Sequence, residues 1–542
     1  MSGQGKTMNG MVVAAQPEAA EAGVEVLRRG GNAVDAAIAC AFSQGVVDPQ
    51  MCGIAGFGAM QICLPQRGVH TVLEFFGRAP LAATPDMWEK KFIGQSRDGF
   101  VFLLDDQSND CGYGAIGAPG NVAGYCEALS RFGTLPLAEV MRPAIEQAHR
   151  GVLVRPYMHY YWALDHHGDG QVNVEDKLRF SETGRQVYFR PDGRMKKPGE
   201  ILRNPEMART LERLAEGGAE SFYRGELALQ MVADLERGGS LLRAADFAEY
   251  RVREKAPVWG RYRGHRIASN PPPAGGGSLL ELLQILENFD LASLPHNGPE
   301  HLRILAEAMK WMTIDRDAHM GDPDFVDVPL DRLLSADYAA ALAARIRSGE
   351  KAHVIRAEEP KDPPDTTVVC VIDKDGNAVS LTHTLGIPSG VITPGMGFMY
   401  NGCMSGFDPR PGRAASIAPG KSRASALAPT MLFEGDRPSL VLGAPGGTYI
   451  VPAIAQALMN VVDFGMSMAE AVAAPRIVAL SDTIDVSNRI PHGVTAALEA
   501  MGYPVARSYQ SHAFGAAHGL LVKDGVITGG ADPQRDGMAL AV

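Results

Sequence analysis

The clearest apolar and polar patterning in the chain lies between residues 363 and 386, which read PPDTTVVCVIDKDGNAVSLTHTLG. Residues 368–372 are a β-branched run and residues 378–384 alternate apolar with polar, the signatures of a buried and a half-buried strand. Between them Lys374, Asp375, Gly376 and Asn377 carry turn chemistry, so the stretch is predicted to be a β-hairpin. Pairing about a centre near Asp375 and Gly376 sets residues whose numbers sum to about 751 opposite one another. With a one-residue bulge allowed, that register faces Thr366 with position 384 or 385 and brings Thr384 beside it.

Elsewhere the periodicity is helical. Pro17 marks a helix start, apolar positions follow to Leu27, and Gly30 and Gly31 close it. Asn32 then caps a second helix from Ala33 to about Phe42, small and apolar nearly all round and so expected against a sheet. Asn204 and Pro205 open another, with Met207, Leu211 and Leu214 on one face and Gly217-Gly218 behind it, and an amphipathic segment follows at about 226–237. Residues 440–443 read as a buried strand that runs through Ala444-Pro445 into Gly446-Gly447, just before an apolar helix at 450–462. Glycines at such a junction let N–H groups approach a ligand at a helix start, which is the geometry that stabilises an oxyanion. The same glycines also suit a loop that needs positive φ.

The chain has 542 residues, 46% of them hydrophobic, enough for a large core, and neither a linker nor an internal repeat divides it. A net charge of -11 argues against nucleic acid or an anionic membrane as partner and leaves a small molecule as the expected ligand. The first residues, MSGQGKTMNG, lack the basic and apolar regions of a signal peptide, and no apolar run approaches a membrane span, so a cytoplasmic protein is expected. Seven cysteines without a CxxC pair fit reduced thiols better than a disulfide framework or zinc site.

Three stretches imitate ligand sites and fail on spacing. CGIAGFGAM at 52–60 lacks the GxGxxG pattern and reads as tightly packed backbone. The run from Asp165 through His166 and His167 to Gly170 matches neither an EF-hand nor a two-histidine helix, and reads as a solvated turn. Gly420-Lys421-Ser422 ends like a P-loop, but Ala415 stands where the earlier glycine belongs. No cofactor and no metal is expected.

The chemistry concentrates at Thr366. Pro363-Pro364-Asp365 is a stiff, extended lead that keeps the peptide bond before Thr366 accessible. A threonine hydroxyl is a weak nucleophile, but an N-terminal threonine has its own α-amine, of pKa roughly 7.7–8.0, as base. Cleavage between Asp365 and Thr366 creates that arrangement.

The stretch from Pro363 to Gly386 resembles the start of the small subunit in the γ-glutamyltransferase family of N-terminal nucleophile hydrolases. Further blocks resemble that family in order along the chain: LRRGGNAVDAAIACAFSQGVVDP, GAPGNVAGYCEALSRFGTLPL, PPPAGGG, MKWMTIDRDAHMGDPDF, LAPTMLFEGDRPSLVLGAPGG, EAVAAPRI and GGADPQRDG. The resemblance implies an α+β fold, a four-layer αββα sandwich, in which a precursor cuts itself into a large chain, 1–365, and a small chain, 366–542. The two form one interleaved domain, and the processed pair is a candidate for homo-oligomerisation.

By the same resemblance Thr366 matches the nucleophile, Thr384 the threonine assisting it, Gly446 and Gly447 the oxyanion-hole pair, Asn401 an asparagine beside the substrate, and Ser425 the first of a serine pair whose second member is Ala426 here. Two positions depart. Phe76 stands where an arginine holds the substrate α-carboxylate, and Gly406 where an aspartate holds the α-amine. Losing either contact costs a γ-glutamyl substrate about 1.5–3 kcal/mol. Arg78, or Arg423 or Lys421 from the other side, offers a replacement for the carboxylate contact. The segment from 407 to 425 is short beside members that carry a lid, and an open site favours water as acceptor. The expected function is a self-processing amide hydrolase acting on a small or acyl amide, of the cephalosporin acylase or oxamate amidohydrolase kind. A genuine γ-glutamyltransferase or glutathione hydrolase with a rearranged clamp is the alternative. A catalytically silent binding protein is a third reading, which the retention of Thr366, Thr384, Gly446 and Gly447 opposes.

Overall fold

The computed structural model describes residues 10–96, 98–164, 170–354, 356, 366–508 and 514–542. Two antiparallel sheets lie face to face. The first runs Met538–Ala541, Met11–Ala14, Thr367–Ile372, Ala378–Thr384, Phe57–Leu64, Val69–Phe75, Arg253–Lys255. The second runs Val526–Ala531, His518–Lys523, Arg437–Gly443, Thr430–Glu434, His265–Ser269, Val258–Tyr262. The hairpin sits in the middle of the first sheet, between strands from the N-terminal part of the chain, and both sheets mix strands from either side of residue 365.

Strand periodicity explains the layers, because successive side chains point to opposite faces. Val368, Cys370 and Ile372 face the second sheet and pack with Met431, Val441 and Leu520. Val369 and Val371 face the other way, with Val379 and Leu381, into the core that holds the helices Pro17–Arg28 and Ala33–Val47. Behind the second sheet, Ile267, Leu432, Leu440 and Leu442 pack with the helices Gly276–Glu287, Pro299–His319 and Ile450–Val462. The result is an αββα sandwich. Each such buried aliphatic side chain is worth about 1.5–3 kcal/mol, and a one-residue slip would turn them all to the wrong face, so the hairpin register is tightly fixed.

That register differs slightly from the sequence expectation. Thr367 pairs with His383 and Ile372 with Ala378, so the ladder runs without a bulge and its continuation sets Thr366 opposite Thr384. The second helix also runs further than expected, to Val47, because Ser43 and Gln44 find buried partners: Ser43 Oγ donates to Gln147 Oε1 at 2.6 Å. Its cap is as expected, with Asn32 Oδ1 accepting from the N–H groups of Val34 and Asp35 at 2.9 and 3.1 Å. The helix opened by Pro205 continues to Tyr223 across a kink at Gly218, where φ is 57°.

CGIAGFGAM is packed backbone. A Cβ on Gly58 would stand 2.6 Å from the carbonyl oxygen of Thr382, and one on Gly56 would collide with that of Thr384. Residues 165–169, which hold the two histidines of the metal-like run, lie outside the described residues. No helix among the described residues is long and apolar enough to cross a membrane.

Candidate active site

Thr366 and Thr384 meet at the open end of the hairpin, on the face that looks toward the second sheet. Their hydroxyls are 3.4 Å apart, and the N–H of Gly386 donates to Thr384 Oγ1 at 2.7 Å. Thr384 Oγ1 is thus held from behind while it addresses Thr366. The carbonyl oxygen of Thr366 accepts from Arg535 Nη1 at 3.0 Å, so the RDG stretch near the C-terminus fixes the backbone of the same residue. Both threonines are buried, at 1% and 2% exposure.

Thr367 points to the opposite face and is locked there. Its Oγ1 accepts from Gln44 Nε2 at 2.8 Å and donates to Gln16 Oε1 at 3.2 Å, and Gln16 Nε2 donates to Asp48 Oδ2 at 2.6 Å. Beside it the His383 ring joins Gln44 Oε1 and the Tyr125 hydroxyl, each at 2.7 Å. Burial lowers the His383 pKa to about 3, so the ring is neutral and accepts at one nitrogen while donating at the other. Sequence reasoning missed this network. Its signal was a polar pair, Thr367 and His383, at positions of the period-2 pattern that face the helices.

Gly443, the last residue of its strand, lies against Val368 and near the Thr382 hydroxyl, so the chain that follows emerges over the threonine end of the hairpin. Gly446 has φ 127° and Gly447 φ 52°, and Tyr449 N donates back to the Gly446 carbonyl. The reading of the two glycines as a loop that needs positive φ is what the backbone shows. The left-handed backbone requires glycine, and it stands one short 3-10 turn, Gly447–Tyr449, ahead of the helix Ile450–Val462. Asn401, expected beside substrate, is spent elsewhere: Nδ2 donates to the carbonyls of Ala55 and Gly117, and Oδ1 accepts from the N–H groups of Gly117 and Cys403. With both donors and both lone pairs used, it holds the wall together and has nothing left for a ligand.

The expected replacements for the carboxylate clamp sort themselves by contact. Phe76 is buried in the apolar core behind the second sheet and does not line the cavity that Arg423 borders. Arg78 is not the replacement: its backbone bridges Ala118 and Ser422, and its guanidinium lies 4.6 Å from the Tyr250 ring while donating to the Arg251 carbonyl at 2.6 Å. Lys421 is not one either, because Nζ donates to the carbonyls of Ala414 and Ser416 and ties down the short loop. Arg423 takes the space at issue. A Cβ on Gly406 would overlap its Nε, and one on Gly386 would stand 2.8 Å from its Nη1.

Gly406 and Arg423 border a cavity of about 280 Å³ lined also by Phe100, Ser425, Thr448 and Val451, whereas Thr366, Thr384, Gly446 and Gly447 are not among its lining residues. Ser425 reaches it with its N–H donated to Pro273, and its Oγ accepts from Leu427 N at 3.3 Å. Arg410 and Arg413 of the short loop also line it, so the loop forms a wall. Among the described residues no group of three or more histidines, cysteines or acids is placed to hold a metal ion.

Two antiparallel sheets face to face between helical layers, an αββα sandwich, are the architecture of the N-terminal nucleophile hydrolases. The gamma-glutamyltranspeptidase family model matches residues 19–542, and the chain belongs to that family. It is 38% identical over 539 residues to the acylase ACY 1 proenzyme of Pseudomonas sp. strain V22, covering 98% of this chain and 93% of the relative. It is 33% identical to the glutathione hydrolase proenzyme of Escherichia coli strain K12, covering 98% and 91%. The cephalosporin acylase from Bacillus halodurans superposes with a TM-score of 0.86 at 30% identity, covering 98% of this chain and 96% of that one. The chain is therefore an amidohydrolase of the N-terminal nucleophile type.

Proposed function

We propose that this protein is a self-processing acylase whose nucleophile is Thr366. The observation that carries the reading is the opposition of Thr366 and Thr384 on the inter-sheet face, with Thr384 Oγ1 fixed by the Gly386 N–H. In the precursor Thr366 Oγ attacks the carbonyl carbon of Asp365, which lies outside the described residues. The C–N bond breaks, the nitrogen takes a proton, and water hydrolyses the resulting ester. This leaves a carboxylate on the large chain and a free amine on Thr366.

In turnover that amine accepts the proton of the same hydroxyl as Oγ attacks the substrate amide. The N–H groups at Gly446 and Gly447 receive the developing oxyanion, and the proton passes to the departing amine. Water then hydrolyses the acyl-enzyme. The proenzyme form of the relatives supports the processing step, and the acylases among them support a small or acyl amide as substrate. Reduced thiols at all seven cysteines fit a cytoplasmic setting.

The test is intact mass together with activity. Purified wild type is expected as two chains that divide at 365/366, and Thr366→Ala as one chain at least ~1,000-fold less active. A Thr366→Ala protein that still splits, or an undivided wild type that turns over amides, assigns the nucleophile elsewhere. Release of glutamate from a γ-glutamyl anilide as fast as from the best non-glutamyl amide would favour the glutathione hydrolase reading.

A further inference from the structure

A row of charged side chains braces the cavity wall from behind. Glu74, 2% exposed, stands opposite Arg253 in the register of Val69–Phe75 with Arg253–Lys255, and its Oε2 lies 2.9 Å from Lys255 Nζ. Lys255 Nζ also donates to the Pro272 carbonyl at 2.8 Å. Arg253 Nη1 donates to the two oxygens of Asp322 at 3.0 and 3.2 Å, and Asp322 Oδ2 accepts from the Ser422 N–H at 2.8 Å. Glu74, Arg253, Lys255 and Asp322 do not line the cavity themselves.

The two backbone points they hold lead directly into the wall. Pro272 precedes residues 273–275 and Ser422 precedes residues 423–426, all of which line the cavity. The two segments are stitched together by the Ser425 N–H on the Pro273 carbonyl at 2.9 Å and the Gly275 N–H on the Leu427 carbonyl at 3.0 Å. Arg423 in turn stands against Gly386, whose N–H holds the Thr384 hydroxyl, so movement of the wall reaches the reacting pair.

Glu74 is the least settled member of the row. Buried carboxylates that stay ionised accept several hydrogen bonds, whereas Glu74 has Lys255 beside one oxygen and no hydrogen-bond partner on the other. Burial pushes its carboxyl up to about 7, against the pull of Lys255 and Arg253 and with a further push from Asp322. Those three are the charges that face it, two on the neighbouring strand and one just after the helix Pro299–His319. Water stands one side chain away, because Lys255 and Pro272 line an open groove on the outer surface.

We propose that Glu74 is a positioning residue that couples the cavity wall to pH: neutral Glu74 keeps residues 272–275 closed, and its ionisation draws water past Lys255 and loosens them. This deepens the acylase reading and rests on it. The sign follows from linkage. Opening the Pro272 side hydrates the carboxyl and returns it toward the ordinary value of roughly 4.3, so the open form binds the proton less tightly than the closed form. Closure is therefore complete at low pH and weakens as pH rises to about 7, above which it changes no further. The Arg253–Asp322 pair stays in place throughout, so Ser422 remains held while Gly275 and Ser425 are released.

The experiment is hydrogen exchange on processed enzyme, resolved to single residues and corrected for the intrinsic pH dependence of amide chemistry. Between pH 5 and pH 8 the Gly275 and Ser425 amides should exchange ~10-fold or more faster, with Ser422 within about 2-fold. Glu74→Gln, which imitates the neutral carboxyl, should hold all three at the slow rate at every pH. Lys255→Met removes the strongest pull on the proton and should move the rise to higher pH by about one unit or more. Division into two chains reports that each variant is folded. In turnover of butanoyl 4-nitroanilide, KM of the wild type should climb ~3-fold or more across the same window, and KM of Glu74→Gln should stay flat. Wild-type exchange at Gly275 and Ser425 that ignores pH, the same rise in Glu74→Gln, or a midpoint unmoved by Lys255→Met overturns the proposal. Glu74-dependent exchange without hydrolysis of any n-acyl 4-nitroanilide from acetyl to hexanoyl would count against the acylase reading while upholding the brace.

Discussion

The two ends of the site are built by different means. At the nucleophile end, Thr366 and Thr384 are set by a ladder of six consecutive residue pairs, flanked by strands on both sides, and the side that each threonine faces follows from strand parity. At the other end, Gly386 and Arg423 come from loops and Gly406 from a short 3-10 turn, and their relation depends on which side chain fills a shared space. A ladder cannot exchange one partner without shifting every side chain to the wrong face. A loop wall can trade an acid for a glycine and receive an arginine from a neighbouring segment without disturbing either sheet. The paired threonines are thus anchored in the sheet, while Gly386, Gly406 and Arg423 sit where substitution is structurally inexpensive.

Substitutions at the sheet end separate the two faces of one strand. Thr384→Ala removes the acceptor of the Gly386 N–H and the neighbour of Thr366, and should slow self-cleavage and turnover together by ~10-fold or more, followed by chain separation over time and by anilide hydrolysis. Thr384→Ser, which keeps the hydroxyl, should retain most of the rate. If Thr384→Ala processed at the wild-type rate, the paired hydroxyls would have no role in the first step.

A smaller effect is expected one residue along. Thr367→Val takes two hydrogen bonds from the Gln16–Gln44 network and should lower unfolding stability by about 1–3 kcal/mol in denaturant, with self-cleavage and turnover within a few-fold of wild type. Loss of processing with unchanged stability would exchange the roles of the two adjacent threonines. The contrast between Thr366 and Thr367 is a direct measure of how far strand parity, by itself, selects the reacting hydroxyl.

Much of the sheet end was legible in the sequence because it is local. The β-branched run, the turn at residues 374–377 and the alternation after it specify a hairpin, and a hairpin places the two threonines. The register missed only by a bulge that the turn does not need, since the N–H of Asp373 pairs with the Asn377 carbonyl and that of Gly376 with the Asp373 carbonyl. The other end was legible as a loss, at Phe76 and Gly406, and not as the packing that replaces it. Arg78, Lys421 and Arg423 are alike as letters. They differ in what surrounds their side chains: a tyrosine ring and a carbonyl for Arg78, two carbonyls for Lys421, and two aromatic rings for Arg423, whose guanidinium has no hydrogen bond among the described residues. Those surroundings come from segments far apart in the chain, which no local pattern encodes. Asn401 failed for the same reason, because its four partners lie on Ala55, Gly117 and Cys403.

The central claim is that Thr366 becomes the N-terminal residue that carries the acyl group. Processed enzyme mixed with a slowly hydrolysed acyl anilide and quenched in acid should yield, on digestion and mass analysis, a small chain that begins at Thr366, with the acyl mass on its first peptide. A small chain that begins at another residue, or an acyl mass found on Thr367, Thr384 or any other peptide, would contradict it.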